Sequence, residues 1–260
     1  MNLKPQQIVD KKLNRIFAFL IFAGTLLIYW LTLARSVSFW DCGEYITCSS
    51  ILGVPHPPGN PFYILLGRFF SIFSDVSVHA IVINLLSAVM GSLAVMLTYL
   101  FTVKIVSMFE KEKLYIYLSG FLAAVYTAFA ATFWANSIEA EVYAGLALTI
   151  NLIVWLTFVW LEKSHDLSHQ NILILIVYIF FLGFGIHQTS LQIAPAVLVI
   201  ALYPFLREQV RKSSFWIKTT IYSVILVVAY VIFTGIAKSI NVPDLAKFVF
   251  AAMFAAILVY

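Results

Sequence analysis

Charge is what this sequence has least of. Of its 260 residues, 16 are Lys or Arg and 12 are Asp or Glu, so charged side chains make up 11% where a soluble domain carries about 25%. A chain so poor in charge cannot clothe a water-facing surface of this size. Cysteine is nearly absent too. Cys42 and Cys48 are the only two, and six positions apart they fall on different faces of a helix, which argues against a disulfide-stapled scaffold. No P-loop, no Gly-rich dinucleotide fingerprint and no nucleophile elbow occurs, so the chemistries those motifs carry are excluded. There is no internal repeat and no low-complexity tract. Proline is sparse at eight residues, yet four of them, Pro55, Pro57, Pro58 and Pro61, crowd into one short stretch.

What is present is apolar. Hydrophobic residues make up 62% of the chain and the mean hydropathy is +0.97, which makes it an integral membrane protein. Lys4, Lys11, Lys12 and Arg15 precede an uncharged run from Ile16 to Ala34. A bilayer core of about 30 Å needs roughly 20 such residues, and no small-residue cleavage site follows, so the run reads as a first span and not a removed leader. Further runs lie at about 77–106, 114–134, 142–161, 171–186, 190–206, 215–236 and 246–260. Backbone facing lipid must satisfy itself, so each is expected to be a helix. The fifth and sixth runs are read as two spans meeting at a tight polar turn, Gly185–Ser190. The fold expected is therefore an all-α polytopic membrane protein of seven or eight spans. Because the last run stops mid-hydrophobic at Tyr260, residues 1–260 are expected to form the N-terminal part of a longer chain.

Basic residues sort by side. With a cytoplasmic N-terminus and one crossing per run, twelve Lys and Arg fall inside and only Arg35, Arg68, Lys238 and Lys247 outside, a positive-inside bias that supports this orientation. The net charge of +4 sits in loops beside spans and says nothing of nucleic acid. The same topology puts Asp41, Glu44, His56, Arg68, Asp75, His79, Glu139, Glu141 and His187 on the non-cytoplasmic side. Ionisable groups at a membrane edge are costly, and by default they are candidates for function. The first outer loop, 35–76, is long and rich in Phe, Trp, Tyr and Leu, so it should lie in the interface as a short helix near 41–52, a Pro-rich turn, and a second short helix near 62–73.

Each candidate has a plainer alternative. Asp41 and Glu44 share a helix face, or form an N-cap and its capping-box partner. His56, set before a proline, is held extended, either to bind or because the prolines simply end a helix. Glu139 and Glu141 cannot share a helix face, so at most one points inward; Glu141 also suits a helix N-terminus. His187 could be a satisfied turn residue. Lys104 is read as snorkelling to the cytoplasmic face. His165 and His169 lack a third ligand for a metal.

Asp41-Cys42-Gly43-Glu44 just beyond the first span is followed by Leu52-Gly53-Val54-Pro55-His56-Pro57-Pro58-Gly59-Asn60-Pro61. Ala140-Glu141-Val142-Tyr143 and His187-Gln188-Thr189 come later. In this order the set resembles the protein O-mannosyltransferase family of membrane glycosyltransferases, which includes the ER-resident plexin O-mannosyltransferase and many bacterial homologues. The resemblance covers most of the first 200 residues. It implies a GT-C-like helix bundle that takes a hexose, mannose by analogy, from a polyprenyl-phosphate carrier and places it on a protein or glycan hydroxyl at the non-cytoplasmic face. It implies Asp41 as the catalytic base, Glu44 holding the base or acceptor, and a cationic partner for the donor phosphate drawn from His56, Arg68 and His187, with Glu141 among the substrate-binding groups. No metal is required by this scheme, although Asp41, Glu44 and Glu141 offer oxygen ligands for a divalent ion. The expected location is a bacterial inner membrane, or the ER membrane in a eukaryote.

Two other classes compete. A transporter or flippase for a lipid-linked or anionic substrate would need polar residues at mid-bilayer and broken helices in two matching halves, whereas here the spans hold little beyond Asn84 and Asn151. A non-catalytic assembly subunit would keep the fold and tolerate loss of Asp41.

Overall fold

The computed structural model describes residues 9–162 and 170–210, with 217, 220 and 221. The run at 246–260, the rest of the run at 215–236, the pair His165 and His169, and Lys4, Lys163, Arg211, Lys212, Lys218, Lys238 and Lys247 lie outside them. The chain divides into two units, 1–201 and 202–260.

Every regular element among the described residues is helical. In order they are α1 (Lys11–Leu31), α2 (Cys42–Ile51), α3 (Pro61–Ser71), a 3-10 turn at Val76–Val78, α4 (His79–Val106), α5 (Lys113–Phe129), α6 (Ala131–Ile138), α7 (Val142–Glu162), α8 (Asn171–Phe184), a 3-10 segment at Gln188–Ile193, and α9 (Ala194–Val210). Three helical stretches, α1, Val76–Val106 and α7, are long and apolar enough to cross a membrane, and a fourth span results if the bent pair α5–α6 counts as one. This is a polytopic all-α architecture, with fewer spans among the described residues than the seven or eight expected. Two of the expected runs lie wholly or almost wholly outside the described residues, and the runs at 171–186 and 190–206 form helices shorter than a span. At 1.5 Å per residue, the 14 residues of α8 reach about 21 Å, short of the roughly 30 Å core. The chain turns away there because the N–H groups of Ile186 and His187 both return to the Gly183 carbonyl.

The central helix is α4. It is apolar all round, as a helix enclosed by others should be, and α1, α5, α6 and α7 pack on it. Two asparagines, which composition marked only as polar exceptions in the spans, are the ties. Asn151 of α7 donates to the Ala94 carbonyl and Thr98 Oγ1, each at 2.9 Å. Asn84 is fully buried and donates to the carbonyls of Ala34 at 2.8 Å and Ser36 at 3.3 Å, which seats the chain leaving α1 against α4. Lys104 does not merely snorkel. Its ammonium lies 2.6 Å from Glu162, joining the ends of α4 and α7.

The expected single run at 114–134 is broken at Ala130, where α5 and α6 meet at 64°. Ending α5 there frees the Ala128 carbonyl, and Tyr29 of α1 donates its hydroxyl to it at 2.8 Å. The two short helices expected in the first loop form: α2 lies one residue inside each expected limit, and α3 starts one residue earlier and ends two residues earlier than expected. α2 stops where Leu52 turns left-handed (φ 56°) and Gly53 N–H returns to the Cys48 carbonyl at 2.8 Å. The α2–α3 pair crosses with Gly67 directly on Ser49, where any Cβ would overlap the serine side chain. Gly67→Val is therefore expected to cost about 1–3 kcal/mol by overpacking, read as a lower unfolding temperature in detergent. An unchanged unfolding temperature would contradict this crossing.

Candidate functional site

The site is assembled by the way α2 ends. After Leu52 the chain doubles back, and the turn His56–Gly59 closes with Gly59 N–H donating to the His56 carbonyl at 2.9 Å. Gly59 is left-handed (φ 88°), a conformation open to glycine at little cost. This brings His56 over the first turn of α2. Glu44 grips it twice, accepting from the His56 backbone N–H at 2.7 Å and meeting ring Nδ1 at 2.7 Å. The other ring nitrogen, Nε2, lies 3.9 Å from the Asp41 carboxylate. Asp41, Glu44 and His56 thus form a carboxylate–imidazole–carboxylate row with their side chains 51%, 38% and 45% exposed.

The capping-box alternative does not hold. Asp41 is the residue preceding α2 but makes no side-chain cap bond, and Glu44 is committed to His56. Phe39 and Trp40 stand 85% and 91% exposed beside Asp41, with Trp40 left-handed (φ 58°), which is uncommon for a bulky residue.

Behind the row lies buried Glu141. Burial pushes its carboxyl up to about 7, the negative charges of Asp41 and Glu139 add to this, and the Val142 N–H and His56 oppose it. Glu139, by contrast, faces outward enough to accept from the Ser38 hydroxyl, so the expectation that only one of the two glutamates points inward is met. Tyr45 sits among these acids, and its phenol is raised first by burial and then by the charges of Glu141, Asp41 and Glu44.

Asn60 holds the arrangement together. It is 1% exposed and left-handed (φ 40°), which asparagine tolerates, with Pro61 following at the first position of α3 as helix starts favour. Its amide donates to the Ile186 carbonyl at 2.6 Å and accepts from the Tyr45 hydroxyl at 3.2 Å, while Phe62 N–H donates to the Gly185 carbonyl at 2.8 Å. One residue therefore links α2, α3 and the turn carrying His187. Sequence reasoning did not single out Asn60. The Gly59-Asn60-Pro61 string signals a helix start, but its contact 126 residues away leaves no trace in local pattern.

Two expected site residues stand apart from the row. Arg68 donates to the Ser50 carbonyl, six residues and about 9 Å along α2 from Glu44. His79 lies beside it, with Nδ1 2.9 Å from the Ser50 hydroxyl. His187 pairs with Thr189 Oγ1 at 2.7 Å and packs on Tyr143 with ring centres 5.4 Å apart. Burial lowers its pKa, so it favours the neutral ring.

Asp41, Glu44 and His56 each present one ligand atom, all within 4.8 Å of one another. These are the residues that could hold a divalent ion; Glu141, which the sequence offers as a further oxygen ligand, is not among them. The imidazole Nε2 and Asp41 would be the ligands, and Glu44 would orient the ring from behind Nδ1.

The Glu44–His56 pair titrates in a defined sense. Glu44 lies below its ordinary 4.5, chiefly through the bond from the His56 ring and then from its backbone N–H. Its contribution to stability is present above 4.5 and lost as pH falls through the lowered value. His56 lies above its ordinary 6.5, chiefly through Glu44, with Asp41 adding. That contribution is full below 6.5 and lost as pH rises through the raised value. Glu44→Gln is expected to return His56 toward 6.5, followed by NMR titration of labelled histidine with His56→Gln as the assignment control. A His56 titration unmoved by Glu44→Gln would contradict the pairing.

Comparison with known proteins places this geometry in context. A family model described as the protein O-mannosyl-transferase TMEM260 N-terminal domain matches residues 41–212, so the match begins at Asp41 and takes in Glu44, His56, Arg68, Glu141 and His187. The Mus musculus protein O-mannosyl-transferase TMEM260 is 34% identical over 138 residues, 53% of this chain. The Dictyostelium discoideum protein O-mannosyl-transferase tmem260 is 32% identical over 158 residues, 58% of this chain. In each case the aligned region is 18% of the relative's length, so the chain spans under a fifth of these curated relatives. No solved structure matches the chain.

Proposed function

The chain belongs to the protein O-mannosyl-transferase TMEM260 N-terminal domain family, and on that footing we propose that it transfers mannose from a polyprenyl-phosphate donor to a hydroxyl of a protein acceptor at the non-cytoplasmic face. The observation that carries the reading is the half-exposed Asp41 carboxylate, 3.9 Å from an imidazole that Glu44 grips from the other side.

In this reading the acceptor hydroxyl gives its proton to Asp41 as its oxygen attacks the anomeric carbon. The bond from that carbon to the phosphate oxygen breaks with inversion, and polyprenyl phosphate departs with the electron pair. A positioned carboxylate in this role contributes typically 10²–10⁴-fold. Glu44 is a positioning residue that acts through His56, and its bond to the ring favours the protonated form. Protonated, the ring would face Asp41 at 3.9 Å, a cation suited to the charge that grows on the leaving phosphate. Arg68 would meet the donor further out along the α2–α3 pair, and His187 from the turn after α8. Glu141, a buried acid near neutrality, would bond a sugar hydroxyl. Lying in the interface, α2 and α3 would suit a substrate whose tail stays in lipid.

The test is a proteoliposome assay with polyprenyl-phosphate-mannose and a hydroxyl-bearing peptide. Polyprenyl phosphate released in step with mannosylated peptide is the expected result. Movement of the intact lipid-linked sugar across the bilayer without transfer would favour a transporter, and no turnover of any kind would favour an assembly subunit.

A further inference from the structure

A second feature lies at the other end of the bundle. Between α1 and α5, over the face of α4, runs a groove of about 800 Å³, within the range of built ligand sites. Its wall runs from Leu13 to Ile28 along α1, about 22 Å, more than half the depth of a bilayer core. The lining is almost wholly apolar, Leu20 of α1 and Phe121 of α5 among it.

Three observations distinguish it from an ordinary lipid-facing surface. Gly24 lines it, and a Cβ there would meet nothing within 4 Å, so α1 is hollowed where a neighbour would be expected to fill. Tyr99 lines it too, 1% exposed, with a hydroxyl that has no hydrogen-bond partner. The third is charge. Lys113 closes one end of the groove, and Lys11, Lys12 and Arg15 line an adjoining hollow that shares Leu20 with it. None of these four cations is in an ion pair among the described residues. Asp10 is the acid facing Lys12 and Lys113, and its carboxylate is already engaged by the N–H groups of Lys12 and Leu13.

We infer that the α1–α5 groove binds one anionic phospholipid, with an acyl chain along Gly24 and Tyr99 and the headgroup phosphate at Lys113, Lys12 and Arg15. Basic residues at a membrane edge attract anionic headgroups, and this set sits where the apolar groove ends. The site lies at the N-terminal end of α1, while Asp41 follows its C-terminal end. Those ends are about 30 Å apart over 21 residues, so the headgroup here is not the phosphate of a sugar donor.

The test is native mass spectrometry of the full chain extracted in mild detergent, with lipids identified after release. Retention of one anionic phospholipid is expected, with a preference over phosphatidylcholine on the order of tenfold. Lys12→Glu with Lys113→Glu should abolish that preference. Gly24→Trp fills space already open in the fold, so it should remove the adduct while leaving the unfolding temperature unchanged. The inference fails if no lipid is retained, if phosphatidylcholine is held equally, if polyprenyl phosphate is the species found, or if the adduct survives Gly24→Trp.

Discussion

Asp41→Asn is expected to lower mannosyl transfer by about 10²–10⁴-fold, the contribution of a positioned proton acceptor. The change is isosteric, and the Asp41 side chain makes no cap bond to α2 and is half exposed, so folding and donor binding should survive. The effect should appear in the rate at saturating donor and acceptor, because an amide still contacts substrate but no longer takes a proton. Glu44→Gln should cost less, since it acts through His56, and its effect should depend on pH as the His56 titration moves. Transfer by Asp41→Asn within a few-fold of the unaltered protein would remove this carboxylate from the chemistry.

The second large effect is expected at Asn60. Asn60→Ala leaves the Ile186 carbonyl and the Tyr45 hydroxyl without their partner in a buried setting. A buried group left unsatisfied costs about 1–3 kcal/mol, so two such groups put the loss at roughly 2–6 kcal/mol, with a further cost for placing alanine at φ 40°. That is a large part of a typical folding stability. Thermal inactivation in detergent should be many-fold faster, and transfer should fall with it because the His187 turn and the Pro-rich turn lose their link. Asn60→Asp should recover the Tyr45 bond but not the bond to Ile186, and should fall between. Unfolding of Asn60→Ala at the temperature of the unaltered protein would contradict its place as the tie.

What could be read from sequence was what local rules govern. The two short helices of the first loop were legible because glycine and proline punctuate them, and Asp41, Glu44 and His56 were legible as candidates because ionisable groups at a membrane edge are exceptional. The family was legible from the same residues, and the match over 41–212 bears it out. The partners were not. Asp41 and Glu44 three apart satisfy the capping-box pattern as well as any other, and only the reversal of the chain at Leu52 and Gly53 carries His56 back to Glu44. The break at Ala130 escaped for a similar reason: nothing in 114–134 interrupts the apolar run, and the hydroxyl that takes up the freed Ala128 carbonyl comes from Tyr29 on another helix. Arg68 was grouped with the acids by side of the membrane, a criterion blind to the length of α2 between Glu44 and Ser50.

The most direct measurement of the central claim is a structure of the full chain with bound polyprenyl-phosphate-mannose and an acceptor peptide. The anomeric carbon is expected in front of the Asp41–His56–Glu44 row, with the acceptor oxygen within hydrogen-bonding reach of Asp41, about 2.6–3.2 Å. A donor whose sugar lies away from α2, with Asp41 open to solvent, would contradict it.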